Sequence, residues 1–191
     1  KDIKLTSYKG GTKQKAYKGK MLFTHFGISG PAVLNMSRDV GELLGGAEGS
    51  EYVQAKDKKD DDVVIMLDLF PSLDGGALKE KLQGILIGQS NKKLRNALSL
   101  LVPTALVKVL LEVAEIDGEV VNHSVRAEDR KNLVSMMKAI PLHVSGLLGK
   151  DKAVVSSGGV ALNEVNFKTM QSRIAPHLYL VGDVLNIDRP S

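Results

Sequence analysis

The sequence predicts an α+β protein in which a small β-barrel or sheet carries an inserted helical-bundle subdomain. Three observations point there. Apolar residues alternate with polar ones near the start of the chain and run almost unbroken through Val63–Phe70. From about residue 73 to 140 they recur instead every three or four positions, and after Pro141 the strand-like pattern returns. A block with the helical period, set between blocks with the strand period, gathers the helices into one segment of the chain.

Taken in order, Ile3, Leu5 and Ser7 alternate with Lys4, Thr6 and Tyr8; Gly10-Gly11 supplies a turn, and a second run leads to Gly19. Met21–Thr24 reads as a third strand, and a loop over Phe26–Gly30 leads to Pro31. Proline suits a first helical position because its missing N–H would have no partner there. Residues 31–44 place Val33, Met36, Ser37, Val40 and Leu44 at helical spacing, and Gly45-Gly46 ends the helix. Lys56–Asp62 is a mixed charge run with nothing apolar in it, expected as a solvated loop or hairpin. VVIMLDLF, residues 63–70, is the strongest strand, stopped by Pro71-Ser72.

Four helical stripes follow: Leu78, Leu82, Ile85 and Leu86; Leu94, Ala97, Leu98 and Leu101; Leu106, Val109, Leu110 and Val113; and Leu133, Met136, Met137 and Ile140. Each stripe needs another to bury it, so the block is expected to be a small bundle. Leu142–Leu147 and Ala153–Ser157 read as strands, 165–175 as a short helix or turn around Met170, and HLYLVGD, 177–183, as a buried strand running into Gly182-Asp183.

Composition limits the function. The 191 residues are 43% hydrophobic but only 4% aromatic, so the core must be aliphatic. Net charge is +4, from 26 basic and 22 acidic residues spread along the chain, a weak basis for nucleic-acid binding, and no nucleic-acid partner is expected. The chain has no cysteine, which excludes disulfides, Cys–Zn sites and thiol catalysis and fits a reducing, cytoplasmic setting. No apolar run approaches the roughly 18 residues of a membrane helix, so no membrane partner is expected either. The chain starts at Lys1 inside a strand-like run and stops at Ser191 just after Arg189-Pro190, the look of a fragment of a longer protein.

The candidate chemistry lies in three short stretches. Thr24, His25, Gly27, Ser29 and Gly30 sit where a strand meets a helix. His25 and Ser29 have no readable Asp partner, and no histidine stands at metal-ligand spacing, so no catalytic residue is assigned and no metal is expected. A glycine-containing loop opening a helix can expose free backbone N–H groups to an anion or a carbonyl oxygen. The plainer alternative is a strand-to-helix turn with Ser29 or Gly30 at the cap, and both stay open. Ser157-Gly158-Gly159-Val160 is a tight turn, or a place where the backbone must approach something closely. Gly182-Asp183 follows an apolar run, where a carboxylate can accept a bond from a ribose or ribityl hydroxyl.

These stretches together, KMLFTHFGISGPAVLNMS, LDLFP, AIPLHVSG, AVVSSGGVALNEV, KTMQSR and LYLVGDVLNID, resemble one family in order and spacing over essentially the whole chain. It is the bacterial NAD(P)/FAD-dependent flavoprotein oxidoreductase family that includes aminoacetone oxidase and the bile-acid reductase BaiN. The resemblance implies a fragment of a Rossmann-type flavoprotein: residues 1–72 and 141–165 the two halves of a β-barrel insert, 73–140 a helical subdomain, and 166–191 the start of the returning FAD-binding segment. It implies FAD in the full-length protein, with NAD(P)H as reductant, a small-molecule substrate, and the absent FAD-binding domain of the same chain as partner. Gly182 and Asp183 fall on the family's flavin-contacting Gly-Glu step, and the Thr24–Gly30 loop is expected to face flavin or substrate. Lys20, Gln171 and Asn186 stand where the family has Glu, Glu and Asp. Alone, the fragment is expected to be inactive. The rival reading is a non-catalytic binding or interaction module built on the barrel.

Overall fold

Gly10 and Gly11 both take left-handed backbone angles, with φ of 53 and 76 degrees, which side-chain-bearing residues resist. They turn β1 (Ile3–Lys9) back into β2 (Thr12–Gly19). In this computed structural model, which describes residues 2–45, 62–149 and 158–187, that hairpin forms one side of an antiparallel sheet ordered β2-β1-β5-β6. Next in the chain are a small hairpin, β3 (Leu22–Thr24) and β4 (Gly27–Ser29), and helix α1 (Pro31–Leu43). The helix buries Ala32, Met36 and Val40, four residues apart on one stripe, and packs on the β1–β2 hairpin.

β5 (Val63–Asp68) crosses the middle of the sheet beside β1 and alternates as a half-buried strand should: Val63, Ile65 and Leu67 are buried on the α1 side. The helical block leaves from its end. Asp74 caps α2 (Gly75–Gly88), its carboxylate accepting the Ala77 N–H at 2.7 Å. After α2 come α3 (Leu94–Leu98), α4 (Thr104–Val113) and α5 (Ala127–Lys138). Leu78, Leu82 and Leu86 from α2 meet Leu133 and Met137 from α5 in a core continuous with that of the sheet. The chain then rejoins the sheet as β6 (Ile140–His143), with Ile140 opposite Leu67. Lys138 secures the junction: its ammonium donates to the Asp68 carboxylate at 2.6 Å and to the carbonyls of Phe70 and Leu73.

Of the two forms expected, barrel or sheet, the described residues show an open sheet with β2 and β6 at its edges. Several other expectations change. α4 buries Val107, Leu110 and Leu111, while Val109 and Val113 are 50% and 60% exposed. Its sequence is apolar on nearly every side, so spacing alone cannot choose the face; the neighbouring helices do. Ile140 belongs to β6 instead of the last helix, and that strand ends at His143 instead of Leu147. Of the helix or turn expected around Met170, residues 165–175 take the turn, which closes a hairpin of β7 (Val165–Asn166) and β8 (Gln171–Ser172) with Met170 left-handed at φ 60 degrees. Residues 177–183 are neither a strand nor buried: Tyr179 is 61% and Val181 65% exposed. Burial needs a covering element, and among the described residues no element covers this run. Gly46, Lys56–Asp61 and Ala153–Ser157 lie outside the described residues.

Candidate functional site

The Thr24–Gly30 stretch is a tight hairpin rather than an open loop. Thr24 pairs with Gly27, leaving His25 and Phe26 as the two turn residues. The Thr24 hydroxyl accepts the Phe26 N–H and donates to the Gly27 carbonyl, both at 3.3 Å. His25 stands edge-on to Phe26 with ring centres 6.3 Å apart, and Phe26 is 81% exposed. Ser29 lies in β4 opposite Leu22 and caps nothing.

Gly30 is the helix cap, with φ of 106 degrees, and a Cβ there would stand 3.1 Å from the Lys20 carbonyl oxygen and the Met21 Cα. The free N–H seat does not exist. The Ala32 N–H donates to the Lys20 carbonyl at 3.2 Å, and those of Val33 and Leu34 to the Gly30 carbonyl at 2.9 Å. Of the two readings, the strand-to-helix turn is the one this loop adopts.

The other two stretches come together. Val160 donates its N–H to the Val184 carbonyl at 2.9 Å and accepts the Asn186 N–H at 3.0 Å, a short parallel bridge. A Cβ on Gly159 would meet the Val184 carbonyl oxygen at 2.5 Å and the Leu185 carbonyl carbon at 2.8 Å. The glycine is there so that two backbones can touch. Gly182, with φ of 79 degrees, opens the single turn Gly182–Val184, and open space stands where its Cβ would be. Asp183 is exposed on that turn. Gln171 bridges to Tyr179, which ties the hairpin of β7 and β8 to the same segment. No strand pairing or hydrogen bond among the described residues links the His25 hairpin to this turn.

Around the turn, Phe167, Ile174, Leu178, Tyr179, Val181 and Val184 are all exposed, an apolar surface of the kind that marks a contact site. Among the described residues no group of three metal-capable side chains occurs, and no helix is long and apolar enough to cross a membrane.

One feature passes unnoticed in the whole-chain charge. Residues 1–20 hold seven lysines and one aspartate, so the first tenth of the chain exceeds the net +4 of the whole. A count by window finds it. The core side of the hairpin is neutralised: Asp39 of α1 accepts from Lys15 at 2.6 Å and from the Tyr17 hydroxyl. Burial, and then the bond to Asp39, push the Tyr17 phenol up to about 12. Burial works to raise the Asp39 pKa, but the Lys15 and Tyr17 hydrogen bonds and the nearby cations outweigh it and hold the carboxyl below its usual value.

The family described as HI0933-like protein barrel and H2TH domain matches residues 1–155. The chain belongs to the HI0933-like family. This is a flavoprotein oxidoreductase family, in agreement with the resemblance carried by the sequence motifs. The HI0933-like chain is 29% identical over 171 residues to the ribosomal RNA dihydrouridine synthase of Escherichia coli, an alignment covering 90% of this chain and 37% of the relative. To the enzyme of the same name from Haemophilus influenzae it is 28% identical, covering 91% and 37%. To the 3-dehydro-bile acid delta(4,6)-reductase of Clostridium scindens it is 26% identical, covering 89% and 38%. The chain thus spans little more than a third of the length of these curated relatives.

The family implies FAD in the full-length protein, and the turn has features that fit such a group. Gly158 and Gly182 leave open space at their backbones, Asp183 offers an exposed hydroxyl acceptor, and Tyr179 and Val181 present apolar surface beside it.

Proposed function

We propose that this chain is the substrate-side insert of an FAD-dependent reductase, together with the first part of the segment that returns to the FAD-binding domain. The observation that carries this reading is the junction of Gly158–Val160 with Gly182–Asn186: two glycine-marked backbones locked together, leaving Gly182 and Asp183 open beside an uncovered apolar surface. That surface fits the remainder of a full-length protein as its covering partner. FAD, when bound and reduced, supplies the hydride. The chain's own residues hold and shield: Asp183 accepts a hydroxyl of the cofactor, and the His25–Phe26 tip closes over the substrate cleft.

The names of the three relatives suggest a common reaction type. Making dihydrouridine and reducing a 3-dehydro-bile acid with delta(4,6) unsaturation both saturate a carbon–carbon double bond activated by a carbonyl. A substrate of that kind, with NAD(P)H as the source of electrons, is the reading that unites them.

The test is the visible spectrum of the purified full-length protein. It is expected to carry bound flavin. Asp183→Ala should lower the flavin retained after desalting, and Gly159→Ala should lower it further by forcing the two backbones apart. His25→Ala should keep the flavin and slow turnover. A full-length protein that folds but neither retains nor takes up flavin would sink the proposal.

A further inference from the structure

Three side chains of the Thr24–Gly30 hairpin carry a proton on oxygen or nitrogen: Thr24, His25 and Ser29. The Thr24 proton is committed, because that hydroxyl donates to the Gly27 carbonyl while accepting the Phe26 N–H. Ser29 sits in the paired part of β4, and an alcohol holds its proton too tightly to serve as an acid near neutral pH. His25 differs. Its ring meets Phe26 edge-on, is exposed at the tip, and makes no hydrogen bond or ion pair among the described residues. The other histidines are engaged or stand elsewhere. His123 Nδ1 lies 3.1 Å from the Ser90 carbonyl in the helical block, His143 lies 4.0 Å from Asp62 at the corner of the sheet, and His177 shapes the turn before Leu178 with its backbone left-handed at φ 69 degrees.

The hairpin is anchored at its base and bare at its tip. Gly30 lets the start of α1 press against Lys20 and Met21, and the Ala32 N–H donates to the Lys20 carbonyl at 3.2 Å, so the tip projects from a fixed root. Leu22 and Phe23 are successive residues of β3 and therefore face opposite sides, yet both are exposed, as is Phe26 beyond them. Among the described residues neither face of the hairpin is covered. Large apolar side chains on both faces suit an element that enters a crevice and excludes water from it, and here that element carries a histidine with its ring unengaged at the leading end.

We infer that His25 is the proton donor of the reduction. Its role rests on the reductase reading and deepens it. Saturating a double bond conjugated to a carbonyl takes a hydride at one carbon and a proton at another. The hydride comes from the reduced cofactor, with NAD(P)H as the source of its electrons; the proton needs a separate donor. As the hydride adds to the substrate, the electron pair of the double bond moves towards the carbonyl and leaves an enolate. The His25 imidazolium then breaks an N–H bond, the substrate carbon gains a C–H bond, and the pair left on nitrogen makes a neutral imidazole. Water returns a proton to the ring before the next turnover. Histidine is the side chain best suited to lend and recover a proton near neutral pH, and the surrounding apolar residues direct that proton to the substrate by keeping bulk water away.

Flavin absorbance of the full-length protein, followed without oxygen in heavy water, tests this. The protein is reduced with NADH or NADPH and then mixed with one of two probes, a uridine-containing RNA or a 3-dehydro-bile acid with delta(4,6) unsaturation. In the natural protein one probe is expected to restore the oxidised spectrum, and its product to carry deuterium on a single face of the carbon that receives the proton. His25→Ala should slow that reoxidation about 100-fold or more and scatter the deuterium over both faces, because water then supplies it. Flavin content, reduction by the nucleotide, binding of the probe to the oxidised protein, and reoxidation by ferricyanide, which needs no proton at carbon, should each stay within about twofold. His25→Asn, a residue at home in turns but not an acid, carries the same expectation and guards against a hairpin disturbed by alanine. The role is overturned if the variants keep the natural rate and single-faced deuterium, or if flavin content, flavin reduction or probe binding falls as far as reoxidation does. A reduced protein that neither probe reoxidises sinks the reductase reading and the proton donor with it. A natural protein reoxidised by a probe, with both variants unchanged, sinks the histidine alone.

Discussion

Asp39, set on α1 between the Lys15 ammonium and the Tyr17 hydroxyl, joins the first helix to the edge strand of the sheet. Folding makes the Tyr17 proton harder to remove, so its contribution to stability is complete below about pH 10 and disappears as pH rises through about 12. Asp39 acts in the opposite range: its contribution is present above the ordinary carboxyl pKa and is lost as pH falls through its lowered folded value. Tyr17→Phe should therefore flatten the alkaline limb of the unfolding midpoint. In an ultraviolet titration, the natural chain should show a late-ionising tyrosine that the variant lacks. The same alkaline titration limb in both proteins would contradict this. At this scale the sequence is partly legible. A glycine pair at 158–159 announces a close approach, and the structure supplies what is approached. The Tyr17–Asp39 bond joins residues 22 apart in different elements, and no local pattern records it.

Elements with a clean apolar period are the ones read correctly. α2 repeats its leucines and buries Leu78, Leu82 and Leu86, as its pattern nominates, and the unbroken apolar run at 63–67 is a strand, as read, though only alternate residues of it are buried. α4 has too many apolar residues for its own pattern to decide, and the choice passes to α3 and α5, which pack on it. Substitutions separate the two faces. Leu110→Ala should cost about 2–5 kcal/mol in urea unfolding, whereas Val109→Ala, out in solvent, should stay within about 0.5 kcal/mol. Equal effects would place the helix in the wrong rotation. Residues 177–183 misled for a different reason: an apolar run states a need for cover, and a single chain segment cannot say whether its cover comes from nearby or from another part of a larger protein.

Across the molecule, the two parts of the chain differ in how they are held. Residues 2–45 and 62–149 share one continuous core, while in 158–187 only Val165 and Leu185 are buried among the large apolar side chains. Regions with few buried contacts open first. Brief trypsin treatment should cut after Lys168 and Arg173 before any lysine in α2 or α5, with the sites read by mass spectrometry. First cuts within the helical block would reverse that order of stability. The architecture was legible from the order of periods in the sequence. Whether the strands make a sheet or a barrel was not, because closure depends on edge strands finding each other in space.

Leu67 and Ile140 are neighbours across β5 and β6, although the whole helical block separates them in sequence. Topologically, the block is a closed excursion that departs and returns at a single strand spacing. Bringing such distant ends together as a bare loop would cost about 2–3 kcal/mol more than a short turn would. Helices that pair locally lower that cost before the strands meet, so the block is placed to assemble early and act as the clasp that brings β6 to the sheet. The same geometry makes it a natural unit of exchange: its removal and replacement by a tight turn would leave the strand order intact, and a related block of different length could be set in the same gap without redirecting the chain on either side.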